Sequence, residues 1–328
     1  MAGPEETRDG VPLTNLDQPL FDGADARKRV LVDYLDAMSD LIVPALADRP
    51  LSVIRVRPGQ PPFMQKNVPK YTPEWVSTVT MWAESSHRDV SYALCNDRRT
   101  LLWFANQRAV EYHPTLVRGP DWEHPSHLVL DLDPPPVVPE SQGNAFRLAV
   151  AAARLVREVL TEVGMAGAVK TSGAKGVHVF VPLAGASHEE VAAATRAIAA
   201  RAERLDPKLA TTAFIREDRE GKVFLDSTRA GGATVVAVYS PRVRPGAPVS
   251  FPVGWDDLDS VAPTDFTVRT AVEALGGVDR WAAQMPAPQT LDTGLVEEGR
   301  TIPIARVQAM HEGKRRARAR RTKSDPTT

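Results

Sequence analysis

The 328 residues, 43% apolar and 25% charged, have the balance of a globular chain long enough to bury a large core. A single cysteine, Cys95, excludes an internal disulfide and a thiolate zinc cage, and a net charge of −1 excludes a polycation. No apolar run approaches the ~18 residues of a membrane span, and the N-terminus lacks the basic-then-apolar order of a secretory leader, so a cytoplasmic protein is expected.

Residues 1–12 read as a flexible N-terminus. An amphipathic helix is expected over Arg27–Asp48, where Val30, Leu31, Tyr34, Leu35, Met38, Leu41, Ile42 and Leu46 recur at three- and four-residue steps. Pro50 stops it, and LSVIRVR (Leu51–Arg57) follows as a strand. HLVLDLD (His127–Asp133) is a short apolar strand that ends in acid. Asn144–Val163 reads as a second helix, with Asn144 as its N-cap and Gly164 closing it.

Ala168–Ser172 and Val177–Leu183 read as two strands around a tight turn. Ser187 and Glu190 make a capping-box pattern for a helix running to about Leu205. Lys222–Asp226 and Thr234–Tyr239 are further strands, and the text turns helical again after Trp255. There is no internal repeat, no regular βαβ alternation and no GxGxxG loop, so the class is α+β with mixed or antiparallel sheets flanked by helices. One main domain is expected over 13–310, divided at 13–120, 121–260 and a helical 261–310. The last segment, 311–328, has seven Lys/Arg against Glu312 and Asp325. With no apolar face it reads as a disordered basic tail: either a solubilising end or an arm that binds phosphates through counterion release.

The chemical residues follow from spacing. Asp131 and Asp133, two apart on a strand, point to one face. Paired carboxylates repel, and a hard divalent cation such as Mg²⁺ or Mn²⁺ relieves that repulsion. A DxD alone is common on solvated strand ends, but Asp226 closes another strand and adds a third acid. Three such carboxylates suit two metal ions and in-line attack on phosphorus.

KTSGAKGVHVFVPL (Lys170–Leu183) is the most specific segment. Gly173 and Gly176 permit a turn whose N–H groups face an anion, with Ser172 and Lys175 at the turn. His178 begins the next strand on the side of Phe180, opposite Val177, Val179 and Val181. A lone strand histidine is usually structural; in this company contact with a triphosphate is the better expectation. Arg216, Arg219, Arg242 and Arg244 lie in nearby loops, with Arg219 best placed to meet a phosphate.

At this point the sequence resembles the primase-polymerases of the archaeo-eukaryotic primase superfamily. Within it, the chain is similar to the polymerase domain of bacterial ATP-dependent ligase D, most nearly the stand-alone mycobacterial primase-polymerases of the C type. TNLDQPLF, RPLSVIRVRPG, FMQKNVP, LLWFANQRAVEYHP, HLVLDLDP, KTSGAKGVHVFVPL, GKVFLD and YSPRVRPGAPVSFPVGWDDL fall in family order, from about Leu13 to Leu258. The resemblance implies a primase-like catalytic core and template-directed addition of nucleotides to a 3′ hydroxyl with two divalent ions, Mn²⁺ or Mg²⁺. It assigns Asp131, Asp133 and Asp226 to the metals and to catalysis. Ser172, Lys175, Gly176 and His178 fall to the nucleotide hairpin, and His113, Arg219 and Arg242 to the incoming nucleotide.

Phe63 and Met64 match two template-side stacking positions, with Met64 where relatives carry a second aromatic, and Lys66 follows them on the DNA side. Gln18 stands where ligase D relatives have a lysine in the pocket for a 5′ phosphate across a gap, so Lys28, or neighbouring Arg27 and Arg29, would carry more of that contact. After Asp226 the segment STRAGGAT departs from the usual aromatic-containing one, so a loop of different shape is expected. The implied partners are gapped or primed DNA, nucleoside triphosphates and a separate DNA ligase; the implied setting is a monomer in the bacterial cytoplasm, associated with the nucleoid. Two other readings compete. One is a DNA-end or gap-binding protein with a decayed polymerase site, against which the intact acids and hairpin argue. The other is a metal-dependent sugar or phosphate transferase using the DxD, which leaves the hairpin, Phe63 and the tail unexplained.

Overall fold

A computed structural model describes residues 6–83, 87–136, 142–230 and 233–304; the basic tail lies outside them. The chain opens on a hairpin rather than a loose end. β1 (Glu6–Arg8) pairs antiparallel with β2 (Val11–Leu13) through Asp9 and Gly10, whose φ angles of +48° and +73° suit a two-residue primed turn. The flexibility expected for residues 1–12 is therefore corrected from Glu6 onward. The polar residues there are paired: Arg8 meets Glu6 and Asp33 at 2.6 Å and Asp36 at 3.1 Å, while Val11 and Leu13 enter the core.

The single helix expected over Arg27–Asp48 is two, α1 (Lys28–Ala37) and α2 (Ser39–Leu46), meeting at Met38. The break falls at Met38, whose φ of −97° and ψ of 5° leave the helical region, whereas Pro44 sits inside α2 and only denies the Asp40 carbonyl an N–H. The apolar stripe survives the break: Leu31, Leu35, Met38, Ile42 and Leu46 are all buried.

The predicted strand Leu51–Arg57 is β3. It pairs with β4 (Gln60–Gln65), β6 (Arg88–Ala93) and β7 (Ala109–Pro114), and β5 (Thr78–Ala83) pairs with β6 to complete the first sheet. α3 (Arg98–Asn106) packs with α1 and α2 and against β7.

The second sheet runs β11 (Ala210–Thr211), β12 (Val223–Asp226), β8 (His127–Asp133), β10 (Val177–Pro182), β9 (Ala168–Thr171), antiparallel except for β11 beside β12. Its alternation is the one predicted. Leu128, Leu130, Leu132, Val177, Val179 and Val181 are buried in the main core, towards α4 (Gln142–Glu162) and α5 (His188–Leu205). Val129 and Phe180, on the opposite face, join a separate small cluster with Leu116 and Val235.

Two local expectations are corrected. Asn144 lies inside the first turn of α4, which begins at Gln142, so it is not the N-cap. Thr234–Tyr239 is not a strand: Thr234 makes one bridge to Thr115, and the Val235 and Ala237 N–H groups donate to the Pro114 and Tyr112 carbonyls. Tyr239, at φ +63°, then turns the chain away. Its apolar run reflects burial against β7, not a regular ladder. The capping box of α5 is present: Ser187 Oγ accepts from Glu190 N at 3.3 Å, and Glu190 Oε2 accepts from Ser187 N at 2.8 Å.

The C-terminal part supplies α6 (Ala271–Leu275), α7 (Arg280–Gln284) and α8 (Thr293–Thr301). α8 lies so close on α5 that a Cβ at Gly299 would stand 1.9 Å from the Ala193 carbonyl oxygen. Arg196 fixes the contact by donating to the Gly299 carbonyl at 3.2 and 3.1 Å. Since α5 also backs β8, this contact supports the sheet that carries the acids. Gly299→Ala should force the helices apart and cost about 1–3 kcal/mol, read as a lower urea midpoint. An unchanged midpoint would mean that α8 is free to shift without loss.

Candidate active site

β8 is the central strand of its sheet, and its register decides which side chains meet. Asp131 lies directly across from His178 on one side and Asp226 on the other, and His178 lies across from Lys170. One row across four strands therefore reads Asp226, Asp131, His178, Lys170. Two residues further along β8, on the same face, Asp133 lies across from Phe224. Side chains in such a row stand ~5 Å apart at Cβ, close enough for unscreened carboxylates to repel strongly.

Each carboxylate of the row has one oxygen anchored by the protein. Asp131 Oδ1 is 3.2 Å from His178 Nε2. Asp226 Oδ1 accepts from Thr228 N at 2.9 Å and Thr228 Oγ1 at 2.6 Å. The remaining oxygens face a single cation: Arg229 Nη2 is 2.8 Å from Asp131 Oδ2 and 3.2 Å from Asp226 Oδ2. Burial alone would raise the Asp131 carboxyl, but His178 and Arg229 hold it well below the usual range. Asp133 goes the other way. Burial and then the Asp131 charge push it up to about 6, against the pull of Lys175 and Arg229.

His178 is oriented from behind. The fully buried Lys170 has its Nζ 2.8 Å from His178 Nδ1, donates to Ser250 Oγ, and lies 5.3 Å from the centre of the Phe180 ring; burial, then Arg242, lower its pKa well below the usual lysine range, against the pull of Asp131. With Asp131 Oδ1 able only to accept at Nε2, the ring proton sits on Nε2 and Nδ1 accepts from an Nζ–H of Lys170. Burial and Lys170 lower the His178 pKa to about 4, so the ring is neutral near pH 7.

Among the described residues, no group of three His, Cys, Asp or Glu side chains has the spacing to hold a metal ion. The donor chemistry nevertheless fits a hard divalent cation. Three carboxylates share a face, and one of them is driven towards protonation by burial and by its acidic neighbours. Arg229 now supplies positive charge to the other two.

The hairpin of Ser172 to Gly176 abuts this row. A Cβ at Gly176 would lie 2.5 Å from the Leu132 carbonyl oxygen, so only glycine lets the turn close against β8. The turn N–H groups were expected to face an anion; two do not. Ala174 N and Gly176 N donate to Ser172 Oγ at 3.2 and 3.1 Å. Lys175 donates to the Pro134 carbonyl at 2.7 Å, beside the end of β8. Burial first, then Arg216, Arg244 and Arg219, lower the Lys175 pKa, while Asp133 opposes them. The loop cations singled out from the sequence therefore act on one another around Lys175. Arg219 itself donates to the Ala213 and Phe214 carbonyls and lies 3.8 Å from the centre of the Phe224 ring.

Arg242 and His113 join through Glu111, a residue that sequence reasoning missed. Arg242 Nη1 donates to the Ser172 carbonyl, and its Nε lies 3.1 Å from Glu111 Oε2. The same oxygen is 2.9 Å from His113 Nε2, and Glu111 Oε1 accepts from Val243 N at 2.8 Å. Burial opposes ionisation of Glu111, but His113 and Arg242 hold it down to about 2.

The DNA-side residues divide. Met64, Ile54 and Glu111 form one row of the first sheet, so Met64 shares its face with Glu111 and His113. Phe63 is on the alternate face, with the guanidiniums of Arg57 and Arg55 at 4.6 and 5.7 Å from its ring centre. Lys66, just beyond β4, is exposed. The Gln18 carbonyl accepts from Lys28 N at 2.9 Å, and Gln18 Oε1 accepts from Arg108 at 3.2 Å. Lys28, expected as an outward phosphate contact, is corrected. It is 2% exposed, and its ammonium donates inward to the Thr14 carbonyl and Asn106 Oδ1.

Lys170 and Arg229, like Glu111, were not singled out from the sequence. Lys170 and Glu111 carried a signal, a lone charge inside an apolar strand, which demands a buried partner. Arg229 had only its position three residues after Asp226.

Known proteins match this architecture. The family model described as "LigD, primase-polymerase domain" covers residues 27–281. The bifunctional non-homologous end joining protein LigD of Bacillus subtilis is 31% identical over 271 residues, 81% of this chain and 42% of that protein. The multifunctional non-homologous end joining DNA repair protein LigD of Mycobacterium tuberculosis is 31% identical over 266 residues, 77% of this chain and 34% of that protein. The solved polymerase domain of Mycobacterium tuberculosis ligase D in complex with DNA superposes with a TM-score of 0.74 at 28% identity, covering 84% of this chain and 99% of that one. This chain belongs to the LigD primase-polymerase domain family, as the ordered motifs implied, and spans less than half the length of these two curated relatives.

Asp133 yields a prediction about stability without metal. Its folded pKa lies above the ordinary 3.8, so its contribution is fully present below about pH 4 and is lost as pH rises through about 6. The facing charges are Asp131, Asp226, Lys175 and Arg229. Asp133→Asn should raise thermal stability at pH 7, by up to about 3 kcal/mol, with no gain at pH 4. A variant no more stable than wild type at pH 7 would show that Asp133 is not under this stress.

Proposed function

We propose that this chain is a template-directed polymerase of the primase-polymerase type. It would add ribo- or deoxyribonucleotides to a 3′ hydroxyl and fill short gaps during DNA repair. The observation that carries the reading is the row of Asp226, Asp131 and His178 beside the Ser172–Gly176 hairpin. Family membership supports it, as does a solved relative described in complex with DNA.

Asp131, Asp133 and Asp226 would hold two divalent cations. When bound, such ions lower the pKa of a primer hydroxyl and neutralise charge developing on a triphosphate. The chain's own part is positioning and electrostatics. Lys175 and Arg219 act on one another beside Asp133, and Arg242 holds the hairpin at the Ser172 carbonyl; each donates to backbone carbonyls that an anion would replace. Lys170 keeps the proton of His178 on Nε2, available to an oxygen anion next to Asp131. Buried Val129 and Phe180 keep water from the far end of the face. Met64, on the His113 side of the first sheet, is the apolar surface offered to a template base.

The test is primer extension across a one-nucleotide gap with Mn²⁺ or Mg²⁺. Asp131→Ala/Asp133→Ala should lose at least ~10³-fold in rate while still binding the DNA. Extension at the wild-type rate by the double variant would remove the acids from catalysis. Bound DNA with no extension by either protein would favour a binding role instead.

A further inference from the structure

Arg229 belongs to the segment STRAGGAT that follows Asp226. It follows Asp226 in a short 3₁₀ turn, so its side chain reaches back three residues. One nitrogen, Nη2, contacts the only carboxylate oxygens of Asp131 and Asp226 not already anchored by His178 or Thr228. Those two oxygens are the ones a shared cation would use. The Arg229 Nε–H is buried and meets no acceptor among the described residues, so the polar contacts of the guanidinium are those of Nη2 with the two acids.

We propose that Arg229 is a resident counter-cation, seated between Asp131 and Asp226, that must leave before a divalent ion can bridge them. It neutralises the pair, and it sets a threshold of metal concentration by competing directly for both oxygens. Two cations at one bridging position exclude each other, so the coupling is negative. The inference rests on the metal reading given above.

The experiment is Mn²⁺ titration of the full chain without DNA or nucleotide, following free Mn²⁺ by electron paramagnetic resonance. Arg229→Gln should bind Mn²⁺ about tenfold more tightly than wild type. Without metal it should melt lower at pH 7, and it should gain more on adding Mn²⁺. An equal or weaker affinity overturns the inference while leaving the metal site standing. Absence of Mn²⁺ binding by both proteins removes the metal reading and the inference together. A second measurement needs no variant. Phenylglyoxal labelling of Arg229 in wild type, mapped by peptide mass, should speed several-fold when Mn²⁺ is added; unchanged or slower labelling overturns the inference.

Discussion

Like charges brought together on one face of a sheet are the constraint on which this protein turns. Asp131 and Asp226 meet because antiparallel register leaves them no alternative, and Asp133 follows two residues later on the same strand. In a setting of low dielectric that arrangement is unfavourable unless cations surround it. The surroundings answer it piecewise. Arg229 bridges two acids, Thr228 and His178 fix their outer oxygens, and Lys175 stands over the third. Asp133 is left with the residual stress, and its raised pKa records it.

Holding such a face in place requires a stiff support. Leucines and valines on the reverse side of β8 and β10 are buried towards α4 and α5, and α8 clamps α5 through the Gly299 contact. The hairpin is fixed by equally few parts. Gly176 lets its backbone touch β8, and Ser172 turns its own oxygen inward to close the loop. Lys170 is the least expected support: a fully buried amine whose role in the fold is to aim a histidine.

Much of this is legible in the sequence because it depends on period. HLVLDLD alternates at its acidic end, so the two-residue period of a strand puts Asp131 and Asp133 on one face, and Asp226 closes the strand VFLD. The capping box at Ser187 is a local signal and is equally clear. What escapes depends on pairing between distant strands. Nothing in AVEYHP says that Glu111 meets Arg242 from more than a hundred residues away. Thr234–Tyr239 looks like a strand because it is buried, and burial alone does not specify a ladder. The helix break at Met38 carries no glycine or proline, and the apolar periodicity that runs across it hides it.

The Glu111–Arg242 pair ties the two sheets together at the hairpin, since Arg242 also donates to the Ser172 carbonyl. Deleting that guanidinium would strand an ionised glutamate in the interior and free the loop carbonyl simultaneously. Impaired turnover after substituting Arg242 therefore mixes a lost ligand contact with a collapsed internal joint. Only a companion change neutralising Glu111 can separate these two effects.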